Sequence, residues 1–212
     1  VEMQILADSR GAIVYLGERD CSLQRRHQKV VEEAPSPAMS DALRAEMGEA
    51  ASRIARVSGY VNAGTVEFLL AGESYYVLEV NTRIQVEHAV TEAITGMDLV
   101  RLQLEIAANQ PLGITQGDIR LHGHAIEARI YAEDPDRNFL PSTGPIQAFE
   151  PPQGPGILND VGVEAGDSIS MYYDPMIAKL IVHAETRPLA LARLQQALDR
   201  YVCAGPATNL QF

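Results

Sequence analysis

Along the first third of the chain, apolar and polar residues alternate in short runs broken by turn residues, a pattern that predicts antiparallel strands. Residues 2–8 and 12–18 flank Ser9-Arg10-Gly11, which reads as a hairpin turn. Residues 26–34 form a third extended run, closed by Pro35-Ser36-Pro37, which cannot continue a ladder. The period then changes. Leu43, Met47, Ala50, Ile54 and Val57 fall at helical spacing between Ser40, an N-cap residue type, and Gly59, a C-terminal stop. Residues 65–70 and 75–80 return to strand, joined through Ala71-Gly72-Glu73-Ser74. Residues 89–109 predict two short helices, the second capped by Asp98. Beyond Pro111 come strands over 122–132, 144–149, 156–164 and 176–184, separated by Asp134-Pro135-Asp136 and the Pro- and Gly-rich stretch 151–156. A last helix from Thr186, with Pro188 in its first turn, sets Leu191, Leu194, Leu198 and Val202 on one stripe. The pattern is α+β, mostly antiparallel sheet with flanking helices, and divides near Pro111 into residues 1–110 and 111–212.

Composition changes this picture mainly by exclusion. Over 212 residues, 17 Lys and Arg oppose 28 Asp and Glu, for a net charge of −11. A chain this acidic is a poor match for a phosphate backbone, whose affinity comes mostly from clustered Lys and Arg, so no nucleic-acid partner is expected. No apolar run approaches the roughly 18 residues of a membrane helix, so no membrane partner is expected either. Two cysteines, Cys21 and Cys203, are too few for a disulfide framework and read as small packing residues in a reducing, cytoplasmic setting. The chain opens directly in a strand and ends on the apolar, uncapped Asn209-Leu210-Gln211-Phe212, which reads as a piece of a longer protein.

The densest polar signal is Glu67 together with Glu79, Asn81, Arg83, Gln85 and Glu87, the last five at every second position. Extended backbone would set those five on one face and Val80, Ile84 and Val86 on the other. An outward-facing amphipathic strand gives the same alternation. If Gly72 to Ser74 form a three-residue loop, Glu67 lies opposite Glu79 and Thr65 opposite Asn81, with the carboxylates about 5 Å apart at Cβ. A hard divalent cation would remove their repulsion; a solvated edge hairpin would merely tolerate it. A two-residue loop would shift the register by one and put the glutamates on opposite faces. The second signal is the basic string from Cys21 to Lys29, in which His27 and Lys29 share a strand face. It marks a place for anions, or a solvated stretch pairing with Glu32 and Glu33. The third is Arg129, alone among apolar and small residues, where a buried charge requires a partner or a ligand. His122 and His124 share a face but lack a third nitrogen or sulfur ligand, and read as polar strand residues.

Two long strings carry a family resemblance: Glu18-Arg19-Asp20-Cys21-Ser22-Leu23-Gln24-Arg25-Arg26-His27-Gln28-Lys29-Val30-Val31-Glu32-Glu33-Ala34-Pro35 and Glu79-Val80-Asn81-Thr82-Arg83-Ile84-Gln85-Val86-Glu87-His88. Asp134-Pro135, Phe139-Leu140-Pro141-Ser142, Gly144 and Tyr172-Tyr173-Asp174-Pro175-Met176-Ile177 extend it. The sequence resembles the biotin carboxylase component of biotin-dependent carboxylases from its first residue to its last. The resemblance implies the second half of an ATP-grasp fold over 1–110 and a biotin carboxylase C-terminal domain over 111–212. The family's N-terminal domain and lid precede Val1. The implied reaction is ATP-driven carboxylation of biotin through carboxyphosphate.

Carried over by position, the resemblance gives Glu67, Glu79 and Asn81 as ligands of Mg²⁺ or Mn²⁺. Gln24 and His27 fall at the ATP ribose and Leu69 at adenine. Lys29, Arg83, Gln85 and the Val86 backbone take bicarbonate, Glu87 is the general base, and Arg129 stabilises the biotin enolate. It implies as partners a biotin carboxyl carrier protein or domain, a carboxyltransferase and a second copy in a homodimer. Pro155-Gly156-Ile157-Leu158 stand, however, where relatives often carry aromatic and basic dimer residues. Without the lid, the 212 residues alone are expected not to turn over ATP. Two other readings compete: an ATP-grasp ligase forming an acyl or carbamoyl phosphate, and a non-catalytic carboxylase-assembly module.

Overall fold

A computed structural model describes residues 1–212. In chain order, β1 (Glu2–Ala7), β2 (Ile13–Arg25), β3 (Gln28–Ala34), α1 (Asp41–Ser58), β4 (Asn62–Ala71) and β5 (Ser74–Asn81) are followed by α2 (His88–Thr95) and α3 (Leu99–Ala107). Then come β6 (His124–Tyr131), the short strands β7 (Glu133–Asp134), β8 (Leu140–Pro141), β9 (Gly144–Pro145) and β10 (Ala148–Glu150), and β11 (Ile157–Val161). The chain closes with β12 (Ser168–Ile169), β13 (Met176–Ala184), α4 (Arg187–Leu198) and β14 (Val202–Ala204). Eight strands form one sheet in the order β11-β13-β6-β3-β2-β1-β4-β5, with every neighbouring pair antiparallel. Strands from both sides of Pro111 therefore share a ladder, because β3 pairs with β6.

Helix α1 packs on one face through Leu43, Met47, Ala50, Ala51 and Ala55 against Met3, Ile5, Val66 and Phe68. The Ser40 hydroxyl accepts from the Leu43 N–H at 3.2 Å, and Gly59 closes the helix at φ 64°. Val57 is 90% exposed and lies outside the buried stripe. The small residues Gly48, Ala51 and Ala55 set that stripe, since they let the helix approach the sheet closely; a Cβ at Gly48 would stand 2.5 Å from the Tyr15 ring. In α4 the buried stripe is likewise Ala190, Leu194 and Ala197, while Leu191 is exposed and Val202 belongs to β14.

Other departures have local causes. Arg26 and His27 take φ of 53° and 65° in a two-residue turn, so β3 starts at Gln28 and His27 no longer shares a strand face with Lys29. Arg25 turns instead to Glu133 and Arg26 to Asn138. The run 144–149 splits into β9 and β10, which pair with β12 and β14 respectively. β5 ends at Asn81, so residues 82–87 are a loop into α2 and the alternation 79–87 is not one strand.

The β4–β5 hairpin reaches the expected pairing by a different route. Ala71 pairs with Ser74 across a two-residue turn, Gly72-Glu73, with Gly72 at φ 63°. That register alone would separate the glutamates. Leu78 then enters as a bulge between the Phe68↔Val77 and Glu67↔Glu79 pairs, and restores Glu67 opposite Glu79 and Thr65 opposite Asn81.

Candidate active site

β1 is buried on both faces. Met3 and Ile5 face α1, while Glu2 and Gln4, at 1% and 0% exposure, face the other side. The registers align a row of charge across four strands: Arg19 on β2 opposite Glu2, Glu2 opposite Glu67 on β4, and Glu67 opposite Glu79 on β5. Three carboxylates side by side repel unless cations intervene. The Arg19 guanidinium, fully buried, donates to Glu2 at 2.6 Å, Gln4 at 2.7 Å, Thr91 at 3.0 Å, Thr65 at 3.1 Å and Gln85 at 2.8 Å. All its donor nitrogens are thereby satisfied inside the protein.

Lys29 supplies the second cation. Its Nζ donates to Glu2 and Glu87, each at 2.6 Å, and to Glu67 at 3.3 Å. It thereby reaches two members of the group Glu2, Cys21 and Glu87, whose ligand atoms lie close enough to hold a metal. Burial raises the Glu2 carboxyl pKa, but Arg19 and Lys29 overcome it and the net shift is downward. Burial lowers the Lys29 pKa, and Glu2, Cys21 and Glu87 more than reverse it, so the group is held as an ammonium. Burial, then Glu2, pushes the Cys21 thiol well up, which fits a packing residue and not a nucleophile.

Glu87 joins this cluster from the turn that opens α2, where the His88 N–H is tied to the Gln85 carbonyl at 3.3 Å. Its second oxygen accepts from Arg129 Nη2 at 3.0 Å. Arg129 also donates to Glu32 through Nε at 2.6 Å, so the lone strand Arg has two carboxylate partners. A bulge at Val30, between the Leu23↔Val31 and Gln24↔Lys29 pairs, changes the parity of β3 and brings Lys29 and Glu32 to one face. Gln85 Nε2 donates to Glu67 at 3.1 Å. Asn81 Nδ2 bridges Glu67 at 2.9 Å and Glu79 at 3.4 Å. Two carboxylates and a carboxamide converge at the sheet edge; with the Asn81 amide turned to present Oδ1, the three would offer oxygen donors, the chemistry of a hard divalent cation. The Val86 carbonyl is held by Lys179 Nζ at 2.8 Å, and that ammonium also pairs with Asp160 at 2.9 Å.

The structure thus gathers Lys29, Glu67, Glu79, Asn81, Gln85, Glu87 and Arg129 into one bonded network. Arg83 sits at its exposed edge, 3.5 Å from Asn81 Oδ1. Gln24 lies opposite Lys29 in the ladder, but its amide donates to the Cys21 carbonyl at 2.8 Å. His27 is exposed in the turn, and its side chain makes no hydrogen bond. Leu69 is exposed opposite Tyr76 on the hairpin, with the bulged Leu78 also exposed nearby. Glu2, Arg19, Glu32 and Lys179 were not singled out from sequence. Glu2 and Gln4 alternate with apolar residues as a solvated face would, and only the cross-strand registers show that this face is closed. His124 is a buried hydrogen-bond partner of Glu33, with Nε2 2.7 Å from its carboxylate.

Comparison with known proteins agrees with this geometry. Residues 1–115 match the family model of the carbamoyl-phosphate synthase L chain, ATP binding domain, and residues 127–212 match the biotin carboxylase C-terminal domain. The propionyl-CoA carboxylase alpha chain of Ruegeria pomeroyi is 51% identical, over 100% of this chain and 34% of that protein. Biotin carboxylase 2 of Bacillus subtilis is 52% identical, over 99% of this chain and 47% of that protein. The chain therefore spans about a third to just under half the length of these relatives. Among solved structures, the biotin carboxylase domain of 2-oxoglutarate carboxylase from Hydrogenobacter thermophilus, determined with MgADP, ADP and bicarbonate, superposes with a TM-score of 0.97 at 46% identity. That match covers 99% of this chain and 46% of that one. The chain belongs to the biotin carboxylase family of ATP-grasp proteins.

Proposed function

We propose that the protein of which this chain is part carboxylates biotin on a carrier protein, using ATP and bicarbonate, and passes the carboxyl group to a carboxyltransferase. One observation carries the reading: Glu87 is clamped between the Lys29 ammonium and the Arg129 guanidinium, beside the Glu67 and Glu79 carboxylates that Asn81 bridges. A general base, anion-binding cations and a cation site are thus contiguous.

Glu67, Glu79 and Asn81 would hold Mg²⁺, or Mn²⁺, whose charge would neutralise the ATP phosphates. Gln24 and His27 serve the ribose and Leu69 the adenine. Lys29, Arg83, Gln85 and the Val86 backbone orient bicarbonate. Glu87 accepts the bicarbonate proton as its oxygen attacks the γ-phosphorus; the bond to the β-phosphate oxygen breaks, giving ADP and carboxyphosphate. Carboxyphosphate yields CO₂ and phosphate, and biotin N1′ attacks the CO₂ carbon. N1′ gives up its proton to the phosphate released from carboxyphosphate, and Arg129 stabilises the negative charge that develops on the ureido oxygen. Residues 1–110 supply the metal, ATP and bicarbonate groups, and residues 111–212 supply Arg129. The protein works in the cytoplasm, as a homodimer; relatives named as mitochondrial subunits show that the family is not confined there. The 212 residues alone do not turn over ATP.

The test is made on the full-length protein. Glu87→Gln is expected to lose bicarbonate-dependent ATP cleavage by about 10²-fold or more while Mg²⁺ still binds; wild-type turnover would refute the base. Arg129→Ala should slow biotin carboxylation far more than it weakens ATP binding, and equal losses would remove its assigned role. A second reading, an acyl- or carbamoyl-phosphate-forming ligase, is favoured only by the match of residues 1–115 to a carbamoyl-phosphate synthase domain. It gives no role to Arg129, and it predicts ATP cleavage indifferent to biotin.

A further inference from the structure

Behind Arg129 lie two carboxyl groups that the proposed reaction does not use. Glu32 on β3 and Glu127 on β6 are directly opposite each other in the ladder, and both side chains are sealed from solvent at 0% exposure. Glu32 Oε1 accepts from Arg129, but Glu32 Oε2 and both oxygens of Glu127 have no hydrogen-bond partner. Buried polar atoms are nearly always satisfied, and two ionised carboxylates at this separation repel. A proton between them removes the repulsion and gives a partner to Glu32 Oε2 and to one of the two Glu127 oxygens.

We propose that Glu32 and Glu127 share one proton at neutral pH, Glu127 donating as the neutral acid to Glu32 Oε2. They act as positioning residues that fix Arg129 against biotin. The order is then Glu127–H, Glu32 carboxylate, Arg129 guanidinium, Glu87 carboxylate. Glu32 is locked from behind so that its other oxygen can hold the Arg129 fork. The charged groups around the pair are Lys29 from β3, Arg129 from β6, Lys179 from β13 and Glu87 from the turn before α2. Burial, opposed by Arg129 and reinforced by Glu87, leaves Glu32 pushed up to about 7, and burial, then Glu32, pushes Glu127 well above the carboxylate range. The inference rests on the reading of Arg129 as the biotin-facing residue.

The test uses the full-length protein and two readouts. Infrared difference spectra, wild type minus Glu127→Gln, should show a protonated-carboxyl C=O band at neutral pH that persists above the ordinary carboxylate range. A difference containing only carboxylate bands overturns the proposal, whether water or a cation fills the gap instead. In turnover, Glu127→Gln keeps an N–H donor to Glu32 and should retain biotin carboxylation, with a pH profile lacking the pair's titration. Glu127→Leu lacks the donor and should lower kcat for biotin carboxylation about tenfold or more, with KM for ATP unchanged. Equal losses in the Gln and Leu variants, or a parallel rise in KM for ATP, overturn the positioning role. A wild-type protein that fails to carboxylate biotin refutes the functional reading and leaves the infrared result to decide the proton.

Discussion

Single residues in this site are held by charge and not by apolar packing, and Arg19 shows the cost of that arrangement. Its fork ties β1, β2, β4, α2 and the Gln85 loop together with five hydrogen bonds. Arg19→Met removes the charge but strands Glu2, Gln4 and Gln85. Breaking a buried pair from one side costs about 3–5 kcal/mol, because the remaining charge stays buried without its partner. Urea unfolding should show a loss of that size. A loss below about 1 kcal/mol would mean that Lys29 alone compensates Glu2. The Glu32–Glu127 pair makes the opposite kind of contribution. A carboxyl whose folded pKa lies above its unfolded value keeps a proton that the unfolded chain releases. Between the ordinary 4.5 and about 7, where Glu32 titrates, the pair should make stability fall as pH rises. Glu2 works in the reverse sense: its folded pKa is depressed, so its contribution is lost as pH drops through that lowered value. Denaturant midpoints measured across this window should therefore lose part of their downward slope in Glu127→Gln.

At the scale of elements, two bulges assemble the site. Leu78 in β5 returns Glu79 to the face of Glu67, and Val30 in β3 brings Lys29 and Glu32 together. Deleting Leu78 keeps the two-residue turn but shifts every pair beyond it, sending Glu79 and Asn81 to the other face. We expect that deletion to abolish Mn²⁺ binding, followed by electron paramagnetic resonance, while the far-ultraviolet circular dichroism barely changes. Retained Mn²⁺ affinity would show that Glu79 is not a ligand. These bulges also mark how far the site was legible in the sequence. The expected Glu67–Glu79 pairing assumes a three-residue loop that the chain does not form; turn length and bulge compensate, and neither Leu78 nor Val30 has side-chain chemistry that announces a bulge. Most strand and helix positions follow from period, and the polar residues of the second motif stand out by their alternation, while the roles given to them rest on the resemblance. Glu2 and Arg19 do not stand out, since alternation with apolar neighbours is what a half-exposed strand displays. The helix stripes were misplaced toward large residues, Val57 and Leu191, because close approach to the sheet is set by the small ones.

At the scale of the whole molecule, the division between the two matched family segments and the mechanical unit differ. The segments matched by the two family models contribute neighbouring strands to one sheet, with Val31 opposite Ala128 and Glu32 opposite Glu127. The Arg129–Glu32 and Arg129–Glu87 pairs, together with Lys179 on the Val86 carbonyl, cross the same seam. Opening it would break the β3–β6 ladder and uncouple charges that are nearly dry, so local unfolding of one segment costs contacts of the other. Strands β3 and β6 should therefore open as one cooperative unit. Native-state hydrogen exchange on the full-length protein, read by mass spectrometry in rising denaturant, should give their amides one common opening free energy. Glu32→Ala, placed in the first segment, should lower that value equally in both strands, because Arg129 loses one of its two carboxylate partners across the seam. Separate exchange isotherms for β3 and β6, or an effect of Glu32→Ala confined to β3, would show two units that merely touch, and Arg129 would then be positioned by its own segment alone.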